Sequence, residues 1–152
     1  MDKTNRKILS MLSADASISA AEISAAVHLS IPAVNKRIRD MRESKTIRSF
    51  TISTDPKKVG KPVIAFIFVV FRFKENMSDF FGLIERDPDV LECYALTGEY
   101  DYMIKVCAEN IESLEAKLLT IKSQSGVERS HTMLSLMEHK FKTTILPNEA
   151  EE

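Results

Sequence analysis

Apolar residues recur along this chain with two different periods, and the change from one to the other near residue 60 divides it. Up to Arg42 the spacing is helical. Ile8, Leu9 and Leu12 share one face of a helix over roughly Asn5 to Ser13. Ser19 followed by Glu22 makes a capping box that opens a second helix at Ala20, with Ile23 and Val27 as its inward stripe. Ser30 caps a third helix, where Pro32 is tolerated because the first turn has no intrahelical N–H bond to lose. Ile31, Val34, Ile38 and Met41 form its apolar stripe. Pro32, Ala33, Asn35, Lys36, Arg37 and Arg39 lie beside or opposite that stripe, and Arg42 nearer its edge. Ile47 to Ser53 alternates and is rich in β-formers, which predicts a short strand, and Asp55 to Pro62, with Pro56, Gly60 and Pro62, reads as a linker.

Beyond the linker the period shortens to two. Val63 to Phe73 predicts the strongest strand, apolar on both alternating faces: Val63, Ala65, Ile67, Val69 and Phe71 on one, Ile64, Phe66, Phe68 and Val70 on the other. Met77, Phe80, Phe81 and Ile84 then mark a helix, Val90–Thr97 and Tyr102–Ala108 two strands around a Gly98–Asp101 turn, Ile111, Leu114, Leu118 and Ile121 a second helix, and Val127–Met137 a further strand. The order β-α-β-β-α-β is that of a split βαβ, ferredoxin-like sheet. Right-handed crossovers place both helices on one face, so the opposite face is bare although the Val63 strand is apolar there too. A second copy packed on that face, giving a two-fold dimer, is the simplest cover; a strand or linker of the same chain is the alternative. Lys140 to Ile145 reads as a last edge strand.

The third helix carries candidate chemistry. A short turn before it, small residues at its start and a cationic outer face describe a helix-turn-helix, whose second helix enters the DNA major groove. Ser30, Pro32 and Ala33 permit close approach, Asn35 suits an adenine edge, and Lys36, Arg37 and Arg39 suit guanine or phosphate. Charge agrees: residues 1–61 hold 12 Lys and Arg against 6 Asp and Glu, and residues 62–152 hold 9 against 16, a basic front on an acidic body whose sum is −1. The opening residues are polar and read as a helix rather than a leader. The longest uncharged apolar run, Val63 to Phe71, is too short to span a bilayer, so a cytoplasmic protein without membrane contact is expected. Cys93 and Cys107 can face each other across a hairpin but read better as small buried residues of a reducing compartment.

A second candidate site is Gly98-Glu99-Tyr100-Asp101. Gly98 allows a backbone that gathers N–H groups toward a carboxylate, and Glu99 or Asp101 suits an ammonium, although the same residues also describe a plain hairpin turn. No catalytic, metal or cofactor signature is legible. His28, His131 and His139 are scattered, phosphate-binding glycine loops and nucleophile elbows are missing, and Asp87 and Asp89 read as a solvated turn around Pro88.

Taken in order, these segments resemble the leucine-responsive regulator/AsnC (Lrp/AsnC, feast/famine) family of transcription factors. The resemblance is carried by Thr4-Asn5-Arg6-Lys7-Ile8-Leu9, Asp15-Ala16-Ser17-Ile18-Ser19, Ala21-Glu22-Ile23, Val27-His28-Leu29-Ser30, Ala33-Val34-Asn35-Lys36-Arg37-Ile38 and Thr46-Ile47-Arg48-Ser49-Phe50. In the second half it is carried by Thr97-Gly98-Glu99-Tyr100-Asp101-Tyr102 and Gly126-Val127-Glu128-Arg129-Ser130-His131-Thr132. It implies an α+β chain with an N-terminal helix-turn-helix (winged-helix-like) DNA-binding domain over 1–54 and a linker over 55–62. A ferredoxin-like ligand-binding and oligomerisation domain follows over 63–146, then an acidic tail over 147–152. It further implies a non-enzymatic regulator of a pseudo-palindromic operator that takes no cofactor, forms homodimers assembling toward octamers, and responds to a small amino acid. The effector would sit near Gly98, Glu99, Tyr100 and Asp101 and the last strand's Ser130 and Thr132. Alternatives are an enzyme on a repurposed scaffold of this kind and an architectural DNA-binding protein without effector. Asn5 stands where the family usually has Asp, and His28 and Lys45 where it usually has Gly. If the latter two need positive φ, each costs up to about 1 kcal/mol.

Overall fold

Three helices, α1 (Lys3–Ala14), α2 (Ala20–Val27) and α3 (Ile31–Glu43), build the head of the protein, whose computed structural model describes residues 1–72 and 77–148. Each helix starts where its cap is. Asp2 accepts from the Asn5 N–H, Ser19 and Glu22 form the reciprocal capping box, and Ser30 accepts from the Ala33 N–H with Pro32 in the first turn. Their apolar stripes converge on Ile8, Leu9, Ile23, Val34 and Met41, with Ile38, Val27 and Ile47 packed around them. Ile31 departs from the expected stripe: it begins α3 a turn beyond the core and stays exposed. His28 and Lys45, the two residues standing where glycine is usual, both have positive φ, 53° and 56°.

The unit that holds these helices comprises residues 1–52 and the chain from Lys140 onward; a second unit spans Ser53–His139. Two expected strands are absent. Ile47–Ser53 runs without a ladder partner, and Lys140–Ile145 carries no strand either. The segment after Lys140 instead belongs to the head, placing Leu146 against its core while the Asn148 carbonyl accepts from Arg6 Nη1. The last four residues of the acidic tail lie outside the described residues.

The second unit is an antiparallel four-stranded sheet in the order β2-β3-β1-β4, with β1 Val63–Phe71, β2 Val90–Ala95, β3 Tyr102–Ala108 and β4 Val127–Leu134. The end of the expected first strand, Phe73, lies outside the described residues. Helices α4 (Ser78–Arg86) and α5 (Ile111–Lys122) pack on one face. There Ala65, Ile67, Val69 and Phe71 meet Ile104, Val106, Phe80, Leu114 and Ile121. Ile64, Phe66, Phe68 and Val70 alternate with that set and remain half-buried on the other face, without a covering element among the described residues of this unit. The two cysteines are free. Cys93 pairs in register with Ile104 and packs on the helix side, whereas Cys107 alternates with Ile104 and Val106 and so faces the other side of the sheet.

Candidate DNA-contacting helix and effector loop

The outer surface of α3 is set by which of its residues the head core consumes. Val34 and Met41 are buried, leaving Pro32, Asn35, Lys36, Arg39 and Arg42 exposed on the other side and Ala33 half-buried at the start. Ser30 is engaged in capping. Lys36 donates to Asp40 one turn on at 2.7 Å, with its side chain 66% exposed, a pair loose enough to reopen toward a phosphate. Arg37 differs. Its Nη1 is held by Asp2 Oδ2 at 2.6 Å and Asn5 Oδ1 at 2.8 Å, which joins α3 to the start of α1. Asp2 in turn sits below the usual carboxylate range, first because it accepts the Asn5 N–H and then because of Arg37. Arg37 was expected to be a DNA contact on the strength of its charge and helical position; its partners lie more than 30 residues away, outside what local spacing can display. Asn5, the departure from the usual Asp, supplies one of them. Arg42 lies over the Phe50 ring at 5.9 Å.

The loop between β2 and β3 is closed by its own backbone. Leu96 N–H donates to the Asp101 carbonyl, and Asp101 N–H to the Val69 carbonyl. Gly98 has φ 105°, and an added Cβ there would meet nothing within 4 Å, so conformation rather than space calls for glycine. Asp101 Oδ2 accepts the Phe71 N–H at 2.8 Å, which ties the loop to the end of β1 where its register shifts. Glu99, in contrast, points to solvent and meets Arg129 Nη2 at 3.1 Å. The Tyr100 ring lies against Phe68 (5.2 Å between centroids) and His131 (6.3 Å, interplanar 27°), with the Arg129 guanidinium 5.5 Å above it.

This packing separates the expected site residues into two groups. The β1–β4 register pairs Arg129 with Val70 and His131 with Phe68, on the helix-free face beside Tyr100. It pairs Ser130 with Val69 and Thr132 with Ile67, whose side chains belong to the helix-side core. Ser130 Oγ is buried there without a hydrogen-bond partner among the described residues. Arg129 and His131 join the loop although motif spacing singled out their neighbours. Strand alternation, counted from the loop-facing residues, is the signal that finds them.

One cluster went unseen in the sequence. Asp87 and Asp89 are not a solvated turn: Lys117 bridges Asp87 Oδ2 at 2.6 Å and Asp89 Oδ2 at 3.1 Å, and Lys61, from the segment before β1, pairs with Asp89 Oδ1. The Lys61 bond, then that of Lys117, holds the Asp89 carboxyl below its usual range against the opposing effect of burial. Burial works against the charge on Lys117, but its bonds to Asp87 and Asp89 outweigh it and its pKa rises. Cys107 Sγ lies 3.8 Å from Asp89 Oδ1, and burial, then that carboxylate, raises its thiol pKa.

Comparison with known proteins identifies both halves of the chain. The AsnC-type helix-turn-helix domain matches residues 1–42, and the Lrp/AsnC ligand binding domain matches residues 64–145. The HTH-type transcriptional regulator FL11 of Pyrococcus horikoshii is 36% identical over 147 residues, covering 97% of this chain and 96% of that one. The transcriptional regulator AzlB of Bacillus subtilis is 35% identical over 139 residues, covering 88% of each. Among solved structures, a Neisseria meningitidis transcriptional regulator in complex with L-Met superposes with a TM-score of 0.88 at 29% identity, covering 95% of this chain and 96% of that one.

Proposed function

The chain belongs to the Lrp/AsnC family of transcriptional regulators, and from that premise we propose that it binds a pseudo-palindromic operator as a homodimer under the control of a small amino acid. The observation that carries the DNA half is the outer face of α3. Asn35, Lys36 and Arg39 stand exposed behind a small-residue start at Ser30, Pro32 and Ala33, while Arg37 holds the helix in place. The effector half rests on the loop at Gly98 to Asp101, where charged and aromatic groups gather, and on the methionine bound by the Neisseria relative.

The dimer is supported by the bare sheet face. Ile64, Phe66, Phe68 and Val70 form a continuous apolar row, flanked by Met133, which is 49% exposed, and the adjoining strand β3. A second copy of the same face buries it by two-fold symmetry. Ile47–Ser53, a β-forming stretch with Ile52 84% exposed and no ladder partner, is a further segment a second copy would cover. Assembly beyond the dimer, toward octamers, follows the family resemblance, as does a cytoplasmic location; no helix among the described residues is long and apolar enough to cross a membrane. Family membership favours regulation over catalysis.

A thermal-shift screen of the twenty amino acids, followed by operator binding with and without each hit, tests the proposal. A hit that raises the melting temperature and changes operator affinity or oligomer size is expected. A protein that binds random fragments as tightly as promoter DNA, with no amino-acid response, would be an architectural protein instead.

A further inference from the structure

We propose that Glu92 and Lys105 are the residues by which the apolar sheet face selects its partner. In the two-fold pairing proposed above, on which this inference rests, the ion pair of one copy closes on that of the other. The face then accepts a second copy of this chain and disfavours chains of the same fold that carry other charges there. Lys105 alternates with the buried Ile104 and Val106 and pairs with Phe66, so it stands on the helix-free side of a central strand. Met103 and Cys107 lie two residues to either side of it on that face. Glu92 meets it only through an irregularity in β2. Val90 pairs with Val106, and an even ladder would set Leu91 opposite Lys105 and turn Glu92 toward the helix-side core opposite Ile104. The extra residue at the register shift instead puts Glu92 opposite Lys105, and Lys105 Nζ donates to Glu92 Oε1 at 3.1 Å.

An ion pair in this position works against simple adhesion. Two apolar residues of similar size would bind a second apolar face more tightly, because covering the charges strips them of water. What the pair supplies is discrimination between partners. Lys105 is already drawn down among its neighbours, its side chain 17% exposed, while Glu92 is 37% exposed and open to a further donor. A two-fold axis through the face brings the lysine and glutamate of each copy toward the glutamate and lysine of the other. An ammonium has three donors and a carboxylate two accepting oxygens, so the four groups can close a ring in which every charge meets its opposite. A partner with a like charge at either position puts a repulsion into a layer without water, where screening is weak. The partner copy therefore completes the ring, and a single chain supplies half of it.

The test mixes full-length wild type with the charge-reversed variant Glu92→Lys with Lys105→Glu, one of the two carrying heavy isotopes, and counts the dimers by native mass spectrometry. Each protein alone should form dimers of similar affinity, because each keeps both charges. In an equal mixture, mixed dimers should fall below about a tenth of the total, against about half for indifferent partners. A second variant, Glu92→Met with Lys105→Met, guards against a reversed pair that does not fold. It should self-associate at least as tightly as wild type and form fewer mixed dimers with it than the statistical share. Lys105→Met alone, which leaves Glu92 without its opposite charge, should weaken self-association about tenfold or more. If the reversed variant mixes with wild type at the statistical share, or the methionine variant does where the reversed one does not fold, the charges act within one chain. The selection is then overturned while the pairing of faces stands. If Phe66→Lys with Phe68→Lys still sediments as a dimer, the face is not the interface, and the pairing and its selection fall together.

Discussion

Arg37 shows how a residue's role is decided by partners that spacing cannot reveal. Its Nη1 is held by Asp2 and Asn5, and these bonds join α3 to the start of α1. Arg37→Ala should therefore lower the melting temperature of the head yet leave the salt dependence of operator binding unchanged at temperatures where the head is folded. Arg39→Ala should do the reverse, weakening DNA binding across all sequences and lowering the salt slope by about one. Fluorescence anisotropy at several salt concentrations separates the two, and an Arg37→Ala protein with intact stability and a shallower slope would contradict the clamp. His28 and Lys45 hold left-handed backbone that costs a side-chain-bearing residue strain, so His28→Gly and Lys45→Gly should each stabilise the chain by about 0.5–1 kcal/mol in denaturant melts. Asp89 makes a pH-dependent contribution of definite sign. Its folded pKa is depressed, chiefly by Lys61, so the stability it contributes is present above the ordinary carboxylate pKa of about 3.9 and is lost as the pH falls through the lower, folded value. Lys61 and Lys117 are raised, so their share persists up to about pH 10.4 and fades as the pH rises through their folded values. Asp89→Asn should flatten the acid arm of a melting-temperature series; an unchanged acid arm would show that the cluster contributes nothing.

At the level of elements, what was legible in the sequence was whatever closes its hydrogen bonds locally or buries a repeating face. Helix starts at Ser19 and Ser30 could be read directly, because a capping side chain and the N–H that donates to it lie three residues apart. The β1 strand was legible because both of its faces are apolar, and its topology followed from element order. Ile47–Ser53 and Lys140–Ile145 failed for the opposite reason: alternation describes side chains, but a strand exists only where a neighbouring backbone completes the ladder. Asp87 and Asp89 were misread likewise, because Lys61 and Lys117 reach them from 28 and 30 residues away. The C-terminal segment is the case with most consequence. Leu146 packs on the trihelical core and Asn148 receives Arg6, so the head's fold is finished by residues that follow the sheet. Leu146→Ala should destabilise the head by about 1–2 kcal/mol, the value of a half-buried leucine. Hydrogen exchange should show this as faster opening of α1 to α3 with the sheet amides unaffected. Equal protection in both proteins would mean that the segment lies on the head without supporting it.

For the whole molecule the decisive quantity is the apolar sheet face that has no covering layer among the described residues of its unit. Residues 65, 67, 69 and 71 of β1 close the core against α4 and α5, while 64, 66, 68 and 70 have no such layer among the described residues of their unit. These four side chains stay half-buried rather than enclosed, and under the proposed pairing a second copy would cover them without any additional structural element. Because the two sets alternate, the interface can be changed without touching the core. Phe66→Lys with Phe68→Lys should give a folded protein that sediments as a monomer, with its near-ultraviolet signature and helix content retained. The same variant separates the two functions of pairing. Contacts of α3 with one half-site remain, but a full operator is no longer held by two linked heads, so affinity for it should fall toward that for a half-site. Salt distinguishes the two associations. Apolar burial is nearly indifferent to ionic strength, whereas head–DNA contacts release counterions and weaken steeply. A wild-type dimer that persists at a salt concentration where operator binding has vanished is the expected result. If the lysine variant still sediments as a dimer, some other surface joins the copies, and the pairing of heads must be rebuilt from that surface.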